Sequence, residues 1–259
     1  MIQKLSISSI KQFKACRRAY QLRKIYNVYP IKTAEALQTG SRYHELIEEM
    51  TKTGIIPEVT DKESAMAAAY AKYIMPQMPP FDPEVWFEKP IGRGKRLIGR
   101  ADGVAHNAII EHKTTAISPD EYEMGLERDE QLLAYFIAFK CNTAYYTICR
   151  KPTIRQKTNE TDAEFAQRCF EWYDEDTFDK IRMIKVTRTD EEISEYQKHL
   201  NKMFGVIRSA AKCGSFYRNT ANCRAYGTLC EYAPICMNYD PNESYVGFER
   251  RENDVDHKH

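Results

Sequence analysis

Apolar residues recur at helical spacing near the start of the chain. Ile10, Phe13, Cys16 or Arg17, Tyr20 and Ile25 fall on one face of a helix predicted over residues 8–26. Ser8 or Ser9 stands where a cap is needed. A second helix is predicted from Thr39-Gly40-Ser41 to about Thr51, with His44 and Glu48 one turn apart on one face. An alanine-rich third runs from Lys62 to Met75, where Met-Pro-Gln-Met-Pro-Pro breaks it. Short apolar, strand-like runs follow. Residues 86–91, 96–104 and 108–114 read as an antiparallel meander, turned at Gly92-Arg93-Gly94 and His106-Asn107. Pro119 opens a connection to a helix near 128–141, and residues 143–149 form a β-rich run suited to the same sheet. Residues 151–180 are polar, with a short helix at 162–169; a strand at 182–188 and a long helix at 190–212 follow. Helix, three strands, helix, strand is the order of an α/β sandwich.

The 259 residues suit one large domain, or one domain with an appendage, and 42% hydrophobic residues supply a sizeable core. No run approaches the ~18 to 20 apolar residues of a membrane span. The opening Met-Ile-Gln-Lys lacks the apolar stretch of a signal peptide, so the expectation is a soluble cytoplasmic protein. Net charge is +1, but its distribution is uneven: residues 1–34 carry Lys4, Lys11, Lys14, Arg17, Arg18, Arg23, Lys24 and Lys32 and no acid, whereas residues 35–88 carry ten acids against four bases. The basic start is a candidate phosphate-binding surface; its plainer reading is a solvated helix face. Of eight cysteines, Cys141, Cys149 and Cys169 lie in or beside apolar periodic segments and read as core thiols, and Cys213 has no assigned role. Residues 213–240, dense in Gly, Cys, Tyr, Asn and Pro, read as a loop under a covalent or metal constraint. Residues 249–259 are highly charged and read as a flexible tail.

The chemistry concentrates in two runs, Leu97-Ile-Gly-Arg-Ala-Asp102-Gly-Val104 and Ala108-Ile-Ile-Glu111-His-Lys113-Thr-Thr115. Glycines near Asp102 favour a tight turn there. Asp102 and Glu111 are hard oxygen donors of the kind that hold Mg²⁺ or Mn²⁺, and Lys113 shares a strand face with Glu111. Such a site can hold a metal, activate water and stabilise a developing phosphorane. The bland alternative is a pair of turn and strand-end surface acids beside a solvated lysine.

This meander, with Asp102 and Glu111-His-Lys113, resembles the PD-(D/E)XK nucleases. Gly40-Ser-Arg-Tyr-His44-Glu-Leu-Ile-Glu48 is similar to the upstream histidine motif of their RecB-like branch, and Gln131-Leu-Leu-Ala-Tyr135 to its downstream Gln-x-x-x-Tyr motif. Ser8-Ser-Ile-Lys-Gln-Phe-Lys-Ala-Cys16 is similar to the branch's opening segment. One N-terminal cysteine with three C-terminal ones resembles its iron–sulfur members, among them the AddB nuclease domain and the CRISPR-associated adaptation nucleases. The motifs stand in the family's order over residues 6–236. One departure is visible: the family's C-terminal cysteines read Cys-x2-Cys-x5-Cys, and here Cys230-x5-Cys236 keeps the second spacing while Cys223-x6-Cys230 lengthens the first.

The resemblance implies an α/β restriction-endonuclease-like core with a mixed central sheet flanked by helices, plus a cysteine-rich C-terminal segment. It implies one nuclease domain over residues 1–240, made of a helical part (1–80), a catalytic core (81–150) and a C-terminal helix with a cysteine clamp (188–240), before a flexible tail at 241–259. Metal ligands would be His44, Asp102, Glu111 and the carbonyl of His112, with Glu48 orienting His44 or binding through water. Lys113 would hold the attacking water. Gln131 and Tyr135 would position Lys113 or touch DNA, and Arg17, Arg18 and Arg100 would contact phosphate. Cys16, Cys223, Cys230 and Cys236 would ligate a 4Fe–4S cluster, with zinc as the alternative.

The expected function is metal-dependent exonucleolytic hydrolysis of single-stranded DNA or DNA ends. No Gly-x-x-x-x-Gly-Lys-[Ser/Thr] loop is present, so unwinding would fall to a partner such as a helicase, a recombinase or an adaptation-complex subunit. The alternatives are a DNA-end adaptor that keeps the fold without turnover and a zinc-stabilised RNA-processing protein.

Overall fold

The computed structural model describes residues 2–31, 35–126, 129–225 and 227–251. Lys32 of the basic segment, Arg128 at the start of an expected helix and residues 252–259 of the expected tail lie outside them. The chain divides into two compact units. One comprises 1–33, 87–99 and 195–259; the other comprises 34–86 and 100–194.

The second unit is a mixed sheet with helices packed against it. Its strands are the first half of β3 (Phe81–Gly92), the second half of β4 (Lys95–Ala105), β5 (Ala108–Thr115), β6 (Thr143–Arg150) and β7 (Ile181–Thr187). β4 and β5 are antiparallel, with Gly103 opposite Ile110 and Ala105 opposite Ala108; β5 and β6 are parallel, with Glu111 opposite Tyr146; β6 and β7 are antiparallel. The three expected meander strands are present, and Asn107 makes the second turn in the left-handed region at φ 56°. β5 is central and buried from Ala108 to His112. Alternation sends His112 to one face and Glu111 and Lys113 to the other.

The helices of this unit are α3 (Glu35–Thr53), α4 (Lys62–Tyr73), α5 (Pro119–Glu123), α6 (Glu130–Phe139), α7 (Asp162–Glu175) and α8 (Thr177–Lys180). Tyr43 and Ile47 of α3, Met66 and Tyr70 of α4, and Trp172 and Tyr173 of α7 form one buried cluster with Cys149 and Ile181 of the sheet. α3 starts earlier than Thr39, because Gly40 is tolerated inside the helix: a Cβ there would meet only Thr114 Oγ1, at 3.5 Å. A reciprocal capping box between Asp61 and Ser64 starts α4. Thr161 with Glu164 does the same for α7, which runs six residues past the expected Cys169.

Gly103 corrects the reading of glycine as a turn former. It lies within β4, and a Cβ there would meet Phe81 Cδ2 at 2.4 Å and Ile110 Cβ at 2.9 Å. The residue is small because the Phe81 ring packs over the backbone.

In the first unit, β1 (Lys4–Leu5) pairs in parallel with Arg96–Leu97. The long predicted N-terminal helix is broken. α1 spans Ile7–Ala15 and α2 spans Arg17–Tyr20, followed by a π-helical turn over Gln21–Ile25. Cys16 sits between them in extended backbone, φ −158° and ψ 115°. The cap is Ser6, not Ser8 or Ser9, because the Ser9 amide donates to Ser6 Oγ at 3.2 Å. Then come β2 (Val28–Pro30), the long helix α9 (Asp190–Cys213), which enters this unit at Glu195, the hairpin β8 (Arg224–Ala225) and β9 (Thr228–Leu229), the short α10 (Ala233–Cys236) and β10 (Phe248–Arg250). β10 pairs antiparallel with β2, so part of the segment read as a flexible tail is a strand. Among the described residues no helix is long and apolar enough to cross a membrane.

Candidate active site

The backbone bonds between β4 and β5 run from Ala105–Ala108 to Gly103–Ile110. One step further, the Asp102 carboxylate takes over from the backbone: Oδ2 accepts the His112 N–H at 2.8 Å. Its other oxygen, Oδ1, lies 3.4 Å from His44 Nδ1 of α3. Asp102 is thereby fixed by the edge of the ladder rather than by a tight turn. Burial pushes its pKa up, but the hydrogen bond and charge of His44 with the charges of Lys113 and His112 outweigh this, so the carboxyl is held well below its usual range. Burial pushes His44 down, and the Asp102 bond and charge more than offset it, leaving its pKa raised.

Glu111 is fully buried. Its Oε1 accepts from Lys113 Nζ and from Gln131 Nε2, the latter at 2.9 Å, whereas Oε2 is buried with no hydrogen-bond partner. Burial first, and then the Asp102 charge, push its pKa up to about 7, against the pull of Lys113. Burial depresses Lys113, but the Glu111 and Asp102 charges overcome this and raise it.

Asp129 caps α6 by accepting from the Gln131 N–H at 2.9 Å. Gln131 and Tyr135 then lie one turn apart on the helix. Gln131 Nε2 also donates to Tyr135 OH at 3.0 Å, and Tyr135 OH donates to the Arg100 carbonyl at 2.8 Å. The pair thus ties Glu111 on β5 to the backbone of β4; Gln131 bonds Glu111 rather than Lys113. On the opposite face, His112 Nδ1 bonds Thr147 Oγ1 at 2.7 Å, and its ring meets Tyr70 edge-on at 5.2 Å. Burial lowers its pKa to about 4.

One residue escapes the motif reading. Glu84 of β3 brings a carboxylate to the site: one ligand atom each from His44, Glu84 and Asp102 lie within 4.8 Å of one another. It follows Pro83, which donates no hydrogen bond, and has φ 55°. Arg100 Nε pairs with Glu84 at 2.6 Å, and its guanidinium lies 5.5 Å from the Trp86 ring. Glu48 pairs with Lys52 on the surface of α3.

Hard oxygens beside one imidazole, spaced within the span of a single small ion's ligands, with a buried carboxylate oxygen unsatisfied at Glu111, fit a divalent cation of the Mg²⁺ or Mn²⁺ class.

The four cysteines fall in the first unit, but their sulfurs are not brought into one close group. Extended Cys16 presents its sulfur to the Asn219 N–H at 3.5 Å, and Cys223 Sγ lies 3.9 Å from the Asn219 carbonyl. The lengthened Cys223–Cys230 spacing is the β8–β9 hairpin, which returns the chain so that the Cys230 N–H donates to the Cys223 carbonyl at 2.9 Å. Arg18 and Arg218 donate to the Cys236 carbonyl at 3.4 and 3.1 Å. Burial raises the Cys230 thiol, and the charges of Cys16, Glu231 and Cys236 raise it further. Among the described residues, no three sulfurs approach within 4.8 Å of one another. Arg17 lies over the Phe13 and Tyr217 rings and Arg18 bonds Gln21, so both guanidinium groups have internal partners.

The family model of the PD-(D/E)XK nuclease superfamily matches residues 4–89 and 65–237. The chain belongs to this superfamily, and so to the phosphodiester-hydrolysing enzymes. No curated protein sequence matches it. Among solved structures it is similar to SSO0001 (14% identity, TM-score 0.45, covering 80% of this chain and 77% of that one). It is also similar to the alkaline exonuclease LHK-Exo from Laribacter hongkongensis (9%, 0.42, 82% and 94%) and to a phage related exonuclease from Haemophilus somnus 129PT (14%, 0.36, 74% and 94%).

Proposed function

We propose that the chain is a divalent-metal-dependent exonuclease of the RecB-like branch, acting on single-stranded DNA or duplex ends in recombination, repair, or phage or CRISPR-associated DNA processing. The observation that carries this reading is the convergence of His44, Asp102, Glu111 and Lys113 where the β4–β5 ladder stops. His44, Asp102, Glu111 and the His112 carbonyl are the proposed holders of Mg²⁺ or Mn²⁺. A cation there supplies charge neutralisation and water activation. Lys113 offsets negative charge as it develops on the phosphoryl group. Gln131 fixes the Glu111 carboxylate. Arg100, half exposed beside Trp86, is the candidate phosphate contact, with Arg17 and Arg18 as weaker ones.

The finer reading of Cys16, Cys223, Cys230 and Cys236 is a 4Fe–4S cluster. Two features support it: the helix break that turns Cys16 towards Asn219, and the hairpin that joins Cys223 to Cys230. Four thiolates suit such a cluster, with zinc as the alternative. Without a motor motif, the enzyme would receive unwound DNA from a partner.

The test is cleavage of 5′- and 3′-labelled single and double strands with Mg²⁺ and Mn²⁺. Linear DNA is degraded by the wild type, whereas Asp102→Ala and Lys113→Ala are inactive. Undiminished activity in both variants overturns the assignment. Anaerobic iron and sulfide analysis of the same protein tests the cluster.

A further inference from the structure

We propose that Glu84 is an additional ligand of the catalytic cation, completing a set with His44 and Asp102. The inference rests on the nuclease reading above and extends it to a residue outside the family's motif.

The geometry comes from three separate elements. His44 is on α3, Asp102 on β4 and Glu84 on β3, and one ligand atom from each lies within 4.8 Å of the others. Ligand bonds of about 2.0–2.2 Å span about 4.4 Å across a small ion, so a modest closure around a cation satisfies all three. A side chain that merely happened to be near would be expected to point to solvent, but the Glu84 side chain is only 9% exposed. Its Oε2 is buried, with Arg100 Nε 2.6 Å away as an ion-pair partner and no hydrogen bond to it. A buried carboxylate without a hydrogen bond is costly unless a positive charge compensates it. Arg100, itself half exposed, provides part of that charge.

The backbone is consistent with the same role. Pro83 supplies no amide to a strand partner, and Glu84 adopts φ 55°, uncommon for a residue with a side chain. Such interruptions in strands re-aim a side chain. An ordinary alternating strand would place the acid by parity alone; here the local kink decides its direction. One imidazole among the carboxylates also favours Mn²⁺ over Mg²⁺ relative to an all-oxygen set.

The experiment is Mn²⁺ titration of the 259-residue chain without DNA, followed by calorimetry and by loss of the free-ion paramagnetic resonance signal. The wild type, Glu84→Gln, Glu84→Asp and Asp102→Asn are compared, with thermal melting of each metal-free protein to verify folding. Both Glu84 variants are expected to weaken Mn²⁺ binding about tenfold or more. Glu84→Asp keeps the charge and shortens the reach by one methylene, so wild-type affinity in this variant beside weak binding in Glu84→Gln would mean that Glu84 acts by charge alone, and the proposal fails. Wild-type affinity in both Glu84 variants, with binding lost in Asp102→Asn, also overturns it and leaves the nuclease reading standing. Unchanged binding in Asp102→Asn instead overturns the underlying metal site.

Discussion

Asp102, Glu111 and Lys113 lie within a dozen residues on neighbouring strands, whereas Cys16 meets Asn219 and its cysteine-bearing loop across 203 residues of chain. The first group is placed by sheet geometry. Strand alternation, the end of the β4–β5 ladder and two α6 side chains determine where each carboxylate sits. The second group is placed by side-chain-to-backbone bonds, with Asn219 and Asn222 both donating to the Ala15 carbonyl, and by a small apolar cluster of Ala19, Leu22, Val28, Tyr232 and Ile235. The difference separates function from stability. The sheet holds its charged residues at an energetic cost, with an unpartnered oxygen on Glu111, while the cysteine segment has little apolar burial to hold it otherwise. Removing a charge should therefore cost activity, and removing a cysteine should cost folding.

The sharpest way to break this contrast is a crossed pair of variants. Asp102→Asn is expected to reduce cleavage by roughly 10³-fold or more, with little change in Tm. Cys16→Ser is expected to lower the melting temperature by many degrees and to release any bound iron, because the proposed cluster would close about two hundred residues of chain, by analogy with a cross-link of about 3–5 kcal/mol. Labelled-DNA cleavage and scanning calorimetry on both variants read the two axes. A Cys16→Ser protein that melts like the wild type would remove the distinction.

The next effect is acid destabilisation of the sheet unit. Burial holds His112 at about 4, below its ordinary 6.5, so the neutral ring is the form that folding favours. Its contribution is full above about pH 6.5 and is lost as pH falls through about 4. The size is up to about 3 kcal/mol. Denaturant titrations of metal-free wild type and His112→Asn between pH 4 and 7 isolate it, because the Asp102 and Glu111 contributions are common to both proteins to first order. A difference between the two that does not change with pH would show that the imidazole is not buried in its neutral form.

Much of this contrast was readable in the residues themselves. Two short apolar runs ending in Asp102 and in Glu111-His-Lys113, joined by a turn at His106-Asn107, specify paired strands, and Gln131 to Tyr135 is one helical turn on any reading. The break at Cys16 was hidden, because Phe13, Cys16 and Tyr20 continue a helical spacing through a residue whose backbone is extended. Tertiary contacts with Asn219 outweigh local propensity there. The hairpin inside Cys223–Cys230 and the late strand β10 depend on partners distant in sequence, which no local pattern records. Glu84 was hidden for a different reason: it belongs to no motif, and only the kink after Pro83 brings it to His44 and Asp102.

Gly103→Ala tests whether sheet packing is what holds the carboxylate. The added methyl would overlap the Phe81 ring and approach Ile110, a form of overpacking that costs typically 1–3 kcal/mol. Because Asp102 is the next residue, cleavage should fall along with stability, unlike in Asp102→Asn. Shortening the aromatic residue in Phe81→Leu/Gly103→Ala should recover part of both. Full activity in a destabilised Gly103→Ala protein would mean that Asp102 is held by His112 and His44 alone.

The smallest effect concerns the other unit. Tyr232 OH donates to the Val28 carbonyl at 2.9 Å in a fully buried contact, joining the cysteine loop to β2. Tyr232→Phe removes the donor while leaving the ring packed in the same apolar cluster, so the expected loss is about 1 kcal/mol, with the Val28 carbonyl left unsatisfied. Cleavage by the folded protein should be unchanged, since Tyr232 bonds no residue of the carboxylate site. Equilibrium unfolding and DNA cleavage at a temperature well below the transition measure the two separately. A loss of activity at full stability would contradict the division of labour between the sheet and the cysteine loop, because it would show that this single hydrogen bond influences chemistry carried out by residues of the other unit.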